Sequence, residues 1–210
     1  MRVDPDTHFE SEFWKSGLLH VAGLDEAGRG ALAGPVAVGA VILPNDSTLL
    51  SRTLAGVRDS KQMTPLERES LAPCIQETAL AWSVAFASAE EIDSQGIVRA
   101  TRLAALRALQ DLSIFPQYLL TDFRLELPQL DISQTALVKG DVHCLSIAAA
   151  SVLAKTARDA YMRKLDSQYE GYGLGKHKGY GTQAHRLALK RLGSSPIHRK
   201  SFKVKELRIT

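Results

Sequence analysis

Four acids stand out for what they could do together. Asp25 and Glu26 follow the apolar run Leu18-Leu19-His20-Val21-Ala22-Gly23-Leu24, Asp122 follows Tyr118-Leu119-Leu120-Thr121, and Asp141 comes just after Thr135 to Val138. Each apolar run reads as a buried strand, so every acid falls at or just past a strand end, where open α/β sheets place their ligands. Carboxylates gathered at one spot repel one another and stay ionised together only with bound cations. An all-oxygen ligand set selects Mg²⁺ or Mn²⁺ rather than zinc. Two such ions roughly 3.5–4 Å apart stabilise both the attacking and the leaving oxygen of a phosphodiester. Taken singly, Asp141 after Gly140 also suits a helix cap; Asp25-Glu26, between a strand and a glycine loop, suit that role less.

Gly28-Arg29-Gly30-Ala31-Leu32-Ala33-Gly34 looks superficially like a dinucleotide-binding loop. Its spacing is G-x-G-x-x-x-G, the preceding Asp25-Glu26 would repel a pyrophosphate, and Pro35 with a β-branched run replaces the helix that should follow. The loop's backbone is suited instead to close approach by a nucleic-acid strand, with Arg29 available to a phosphate. A second stretch, Gly171-Tyr172-Gly173-Leu174-Gly175-Lys176-His177-Lys178-Gly179-Tyr180-Gly181, interleaves rings, lysines and glycines. Rings stack on sugars or bases while Lys176 and Lys178 meet phosphates; a solvated surface loop has the same composition. His177 and His185 lack metal-ligand spacing and read as hydrogen-bonding or surface residues.

The overall charge of +3 hides an asymmetry. Residues 1–154 carry 12 Lys+Arg against 19 Asp+Glu, whereas residues 155–210 carry 14 against 4. A basic C-terminal quarter on an acidic body suits a polyanion contacted from one side, although a charged solvated helix face looks the same. The longest apolar run, Val36 to Leu43, is too short to cross a bilayer, and Met1 to Lys15 has no apolar signal segment. Cys74 and Cys144 belong to no CxxC pair and read as reduced core thiols, pointing to the cytoplasm.

The elements that must position these residues follow from periodicity. Strands are expected at Leu18–Leu24, Val36–Leu43, Ala81–Ala87, Tyr118–Thr121 and Thr135–Val138. Thr64-Pro65-Leu66-Glu67 combines a capping box with Pro at the first helical position, predicting a helix to about Thr78. Further helices are expected over Ile97–Leu112, Ser146 to about Ser167, and Thr182–Leu192. The Ser146 helix opens on a face of small residues that lets it lie close to its neighbours. The order predicts a mixed-sheet α/β domain rather than strict βαβ alternation.

Taken together, these segments resemble ribonuclease HII. The likeness rests on Gly23-Leu24-Asp25-Glu26-Ala27-Gly28-Arg29-Gly30 continuing into Ala33-Gly34-Pro35-Val36, then Asp59-Ser60-Lys61 and Gly140-Asp141. It extends through Ser146 to Lys155, Arg158-Asp159, His177-Lys178-Gly179-Tyr180-Gly181-Thr182, His185, His198-Arg199 and Ser201-Phe202. The resemblance implies an α/β ribonuclease H-like fold: a mixed five-stranded sheet flanked by helices, with a small helical C-terminal extension. Residues 1–168 would form the catalytic domain, and 169–210 a basic helical extension completing the substrate site. It implies endonucleolytic hydrolysis of RNA–DNA hybrids and of duplex DNA containing single ribonucleotides, by two metal ions (Mn²⁺ or Mg²⁺), leaving 3′-hydroxyl and 5′-phosphate ends.

Carried over by position, Asp25, Glu26, Asp122 and Asp141 are the metal-binding catalytic acids, Gly28, Arg29 and Gly30 sense the ribose 2′-hydroxyl, and Tyr180 stands at the scissile junction. Lys61, Lys155 and Arg158 would contact the backbone. The expected protein is a cytoplasmic monomer, without membrane association. The related ribonuclease HIII carries an extra N-terminal domain; with roughly 17 residues before the first strand, that reading fits poorly. Where the family has Asp-Gly at the third acid, this chain has Asp122-Phe123, so a different turn is expected there, since Phe avoids positive φ. Asp159 is a rival to Asp141, although its place beside Arg158 favours a structural ion pair. A catalytically silent nucleic-acid-binding protein is the other reading; it would keep the basic tail and lose acids, and all four are present.

Overall fold

The structure, a computed structural model, describes residues 4–123 and 125–203. In chain order its elements are α1 (His8–Lys15), β1 (Val21–Ala27), β2 (Val36–Ile42), α2 (Ser47–Thr53), a 3-10 turn (Ser60–Gln62), α3 (Pro65–Thr78), β3 (Ala81–Ala87), α4 (Ala89–Gln95) and α5 (Ile97–Gln110). They continue with β4 (Tyr118–Asp122), β5 (Gln134–Leu137), α6 (Gly140–His143), α7 (Leu145–Asp166), α8 (Leu174–His177) and α9 (Gln183–Leu192). The expected five-stranded mixed sheet is present, in the order β3-β2-β1-β4-β5. β1 runs antiparallel to β2 and parallel to β4, and β4 runs parallel to β5. Among the described residues no helix is long and apolar enough to cross a membrane.

Both faces of the sheet are covered, which is why β2 is buried at every residue. Alternate residues of β1 and β2 part to two cores: Val21 and Val41 join α3 and α7 on one face, and Ala22, Leu24, Val38 and Ile42 join α5 on the other. The small face of α7 does what its sequence predicts. A Cβ on Gly23 would lie 2.3 Å from the Ser146 carbonyl carbon, and one on Gly39 2.4 Å from the Ala150 oxygen, so glycine in the strands and alanine in the helix bring the backbones together. The α3 capping box is formed as expected, with Thr64 and Glu67 bonding each other's backbone amides.

Two expectations need correction. The first strand does not stop at Asp25 but runs from Val21 to Ala27, because β2 pairs with it out to Ala27↔Ala37 after β4 has left at Leu24↔Thr121. Asp25 and Glu26 are therefore inside a strand, yet beyond the end of its parallel ladder. Of the two free thiols, Cys144 is buried but Cys74 is only half-buried. The expectation at Phe123 holds: its backbone does not adopt positive φ, and among the described non-glycine residues only Lys139 and Lys178 do. Phe123 sits exposed in that turn, and Leu125 N–H donates to the Asp122 carbonyl to close it.

Candidate active site

Asp25 continues the β1 residues that face α7, and its carboxylate is hydrogen-bonded to Ser151 on that helix. Ser151 Oγ is in turn 2.8 Å from Ser60 Oγ. Asp122 ends β4, and its Oδ1 accepts from the Gly140 N–H at 3.1 Å. A Cβ on Gly140 would come within 2.7 Å of Ile147 Cδ1, so a side chain there would require the Ile147 terminal methyl to move. These supports bring Asp25, Glu26 and Asp122 together, each offering a carboxylate oxygen within 4.8 Å of the others. Asp141 is not in that trio. It stands beside it, with Oδ2 3.2 Å from Lys61 Nζ.

The electrostatics are those of crowded, buried carboxylates. Burial, then the neighbouring Glu26, pushes the Asp25 carboxyl well above the usual range. Burial and Asp122 raise Glu26 while Arg29, 3.6 Å away, opposes them. Burial likewise raises Asp141, against the pull of Lys61. The Lys61 ammonium is drawn down by partial burial but raised further by Asp25 and Asp141, so it remains charged. Asp25 Oδ2 and Glu26 Oε2 are buried and have no hydrogen-bond partner. Buried acceptors of this kind are costly, and a hard divalent cation satisfies both the lone pairs and the negative charge. The donor set fits such an ion.

The glycine loop is double-sided. Gly28, at φ +88°, lies against the Arg158 guanidinium, where a Cβ has no room, whereas Gly30 opens onto free space. Arg29 keeps an Nη1 without a hydrogen-bond partner. Arg158, expected to contact substrate, is fully buried, and its guanidinium donates to the carbonyls of Pro35, Ala33 and Lys178. It holds the loop instead of reaching outward. Lys155 is bound to Asp159 at 2.6 Å, and Asp159 also pairs with Arg68 at 3.1 Å. The structural role expected for Asp159 is thus present, with Arg68 and Lys155 in place of Arg158. Lys176 is exposed, but the Lys178 ammonium donates to the Gly175 carbonyl.

Tyr180 comes to the same place from the far end of the chain. The Gly179 carbonyl accepts from Leu32 N–H at 2.8 Å and Ala33 N–H at 3.3 Å, which ties its segment to the glycine loop. Its ring lies 5.6 Å from Lys155 Nζ and 5.4 Å from Arg158 Cζ. Sequence reasoning gave no role to Arg199. This buried guanidinium donates to the carbonyls of Gly28, Arg29 and Gly34, bracing the loop from beneath. Only the adjacency of His198-Arg199 to other matched segments pointed to it. Ser60 and Ser151 were likewise passed over, being small residues in helical or loop positions.

Comparison with known proteins shows the family. The family model described as Ribonuclease HII matches residues 22–205. The Ribonuclease HII of Synechococcus sp. (strain JA-3-3Ab) is 52% identical over 200 residues, covering 95% of this chain and 89% of that protein. That of Desulfitobacterium hafniense (strain Y51) is 47% identical over 201 residues, covering 96% and 75%. The RNase HII solved as a complex with PCNA from Archaeoglobus fulgidus superposes with a TM-score of 0.75 at 26% identity, covering 91% of this chain and 98% of that one. This chain belongs to the ribonuclease HII family and is a metal-dependent endoribonuclease.

Proposed function

We propose that the enzyme, beyond cutting RNA–DNA hybrids, hydrolyses duplex DNA at single embedded ribonucleotides by two-metal catalysis, leaving 3′-hydroxyl and 5′-phosphate ends. One arrangement carries this reading: Asp25 and Glu26 of the converging trio lead directly into the Gly28–Gly34 loop, where Arg29 meets Glu26 at 3.6 Å, and that loop is tied to the Tyr180 segment. A metal trio beside a ribose-reading loop and an aromatic ring is what a cut at one ribose requires.

Asp25, Glu26 and Asp122 would hold Mn²⁺ or Mg²⁺, with Asp141 completing the set. Such ions, when bound, activate water and neutralise charge on the scissile phosphate. The protein's own groups do the rest. Ser151 and the Gly140 N–H keep the Asp25 and Asp122 carboxylates aimed. Lys61, exposed beside Asp141, offers positive charge to the approaching phosphate. The open backbone at Gly30 admits a ribose, whose 2′-hydroxyl is the one chemical mark separating it from deoxyribose. The Tyr180 ring lies against the adjoining sugar. On this reading residues 169–210 complete the substrate site, of which 204–210 lie outside the described residues. Free thiols at Cys74 and Cys144 are in keeping with a reducing cytoplasm.

The test is Asp122→Asn on a duplex with one ribonucleotide and on a continuous hybrid, each with Mn²⁺ or Mg²⁺ and then with EDTA. We expect kcat to fall at least ~10³-fold, the scale on which lost transition-state electrostatics are felt, while duplex binding in EDTA persists. Near-normal turnover by the variant rules out Asp122 as a ligand. Wild-type inactivity on the single-ribonucleotide duplex leaves only the hybrid activity standing.

A further inference from the structure

Three imidazoles, His177, His185 and His198, pack together, and His185 reaches the Tyr180 backbone; among the described residues none of them belongs to the acidic trio. His177 stacks on His185 at 4.3 Å, and His198 lies 5.3 Å from His185 with Tyr172 on its other side at 4.8 Å. His185 is fully buried and His198 nearly so. Among the described residues none of the three makes an ion pair with a carboxylate, and the Tyr180 ring lies within 6 Å of the cations Lys155 and Arg158.

Their proton positions follow from their partners, because a backbone N–H only donates. His198 Nδ1 lies 3.0 Å from the Ser195 N–H and 2.8 Å from Ser195 Oγ, so that nitrogen carries a lone pair. A neutral His198 then bears its proton on Nε2, which is 3.1 Å from His185 Nε2. His185 Nε2 must accept it, which places the His185 proton on Nδ1, 3.0 Å from the Tyr180 carbonyl. One directed chain therefore runs from the Ser195 amide through His198 and His185 to Tyr180. The same logic fixes His177: Nδ1 accepts from Gly179 N–H at 3.2 Å, and Nε2–H donates to the Tyr172 carbonyl at 2.8 Å. A proton added to His185 would set two N–H groups against each other across the 3.1 Å contact. Burial holds the His185 imidazole neutral, down to about 4, in agreement with that geometry.

We propose that the His198–His185 relay is a positioning device for the Tyr180 segment, holding the Tyr180 carbonyl, and with it the ring's aim beside Lys155, through a fixed pair of tautomers. The inference rests on the reading of Tyr180 as the junction residue. It gives His185, His198 and Ser195 a task in selecting the single-ribonucleotide substrate while none of them touches it. The Tyr180 carbonyl also accepts from Thr182 N–H at 2.8 Å, so losing the relay loosens the segment without unfolding it.

Two measurements test this. In protein labelled with ¹⁵N-histidine, two-bond ¹H–¹⁵N correlation spectra at pH 7.5 should show His198 and His177 protonated on Nε2 and His185 on Nδ1. A His185 protonated on Nε2, or on both nitrogens, overturns the relay, whatever Tyr180 does. In the second, His185→Leu removes the donor, whereas His185→Asn keeps an N–H near the Nδ1 position. We expect His185→Leu to lose roughly 5–10-fold in kcat/KM on the single-ribonucleotide duplex, the scale of one net hydrogen bond, with a smaller loss on the continuous hybrid. His185→Asn should recover to within about threefold of wild type. Equal losses by both variants on both substrates indicate a purely structural histidine and overturn the proposal. If Tyr180→Ala is impaired on the single-ribonucleotide duplex but His185→Leu is not, the relay fails and the Tyr180 reading stands. If Tyr180→Ala is unimpaired, the Tyr180 reading fails and the relay loses its function, even with the tautomers as derived.

Discussion

Gly39→Ala probes the close approach on which the whole site depends. Gly39 sits opposite Asp25 in the β1–β2 register, and its Cα faces α7. A Cβ there would stand 2.4 Å from the Ala150 oxygen and 3.1 Å from its carbonyl carbon, both backbone atoms that no rotamer change can clear. Real contacts of this kind are not shorter than about 3 Å, so helix and strand must separate by at least ~0.6 Å in a close-packed interior. Overpacking of this order costs roughly 1–3 kcal/mol, and the smaller entropy of the unfolded alanine chain offsets about 0.4–1 kcal/mol of it. The net cost is then about 0.6–2 kcal/mol; for a chain of this size each kcal/mol lowers Tm by about 2–4 °C, so a drop of about 1–8 °C is expected in a circular-dichroism melt. Ser151, the next residue on α7, orients Asp25, so the same displacement should lower kcat on a hybrid by ~10-fold or more. Gly30→Ala is the stability control, since nothing lies within 4 Å of its Cβ and its φ is not positive. A Gly39→Ala protein melting within about 1 °C of wild type, with unchanged kcat, would refute the claim that glycine is required for α7 to seat against Asp25.

Tyr180→Phe should keep the ring and lose a hydrogen bond, while Tyr180→Ala loses both, so cleavage rates on the single-ribonucleotide duplex should fall in that order. Lys176→Ala should flatten the log–log salt dependence of duplex binding by about 0.9, one phosphate contact, whereas Lys178→Ala should change it less because Gly175 holds that ammonium. An unaltered slope for Lys176→Ala would return that residue to the solvated surface. The His185 imidazole is lowered to about 4 by burial, so the unfolded chain takes up its proton first. Its contribution to stability is therefore complete above pH ~6.5 and is lost as pH falls toward 4. The wild-type advantage over His185→Asn in urea midpoint should shrink between pH 7.5 and pH 5, the comparison cancelling the opposite effect of the raised carboxyls; a constant advantage would contradict a buried neutral imidazole.

Sequence alone determined what short-range physics controls. The strands at β2 to β5 and the helices α3, α5, α7 and α9 were legible to within a few residues, because each combines a clear period with a cap or breaker. The three acids of the trio were legible as strand-borne carboxylates, and the tight seating of α7 was legible in its run of small residues. The short helices α1, α2, α4, α6 and α8 were missed. Ser88-Ala89-Glu90-Glu91 carries the capping box that would have found α4, and Asp46 caps α2.

What the tertiary structure decided is where charge and protons sit. Arg158 and Arg199 are cations like any others in the sequence, but burial among loop carbonyls makes them braces for the Gly28–Gly34 loop. Asp141 was grouped with the other acids, but Lys61 engages it beside the trio. The two ends of β1 could not be told apart locally, since a strand's length is set by how far its neighbours pair with it. Nor could three histidines scattered over residues 177–198 declare a directed relay, because a tautomer is fixed by the partner each ring nitrogen meets in space.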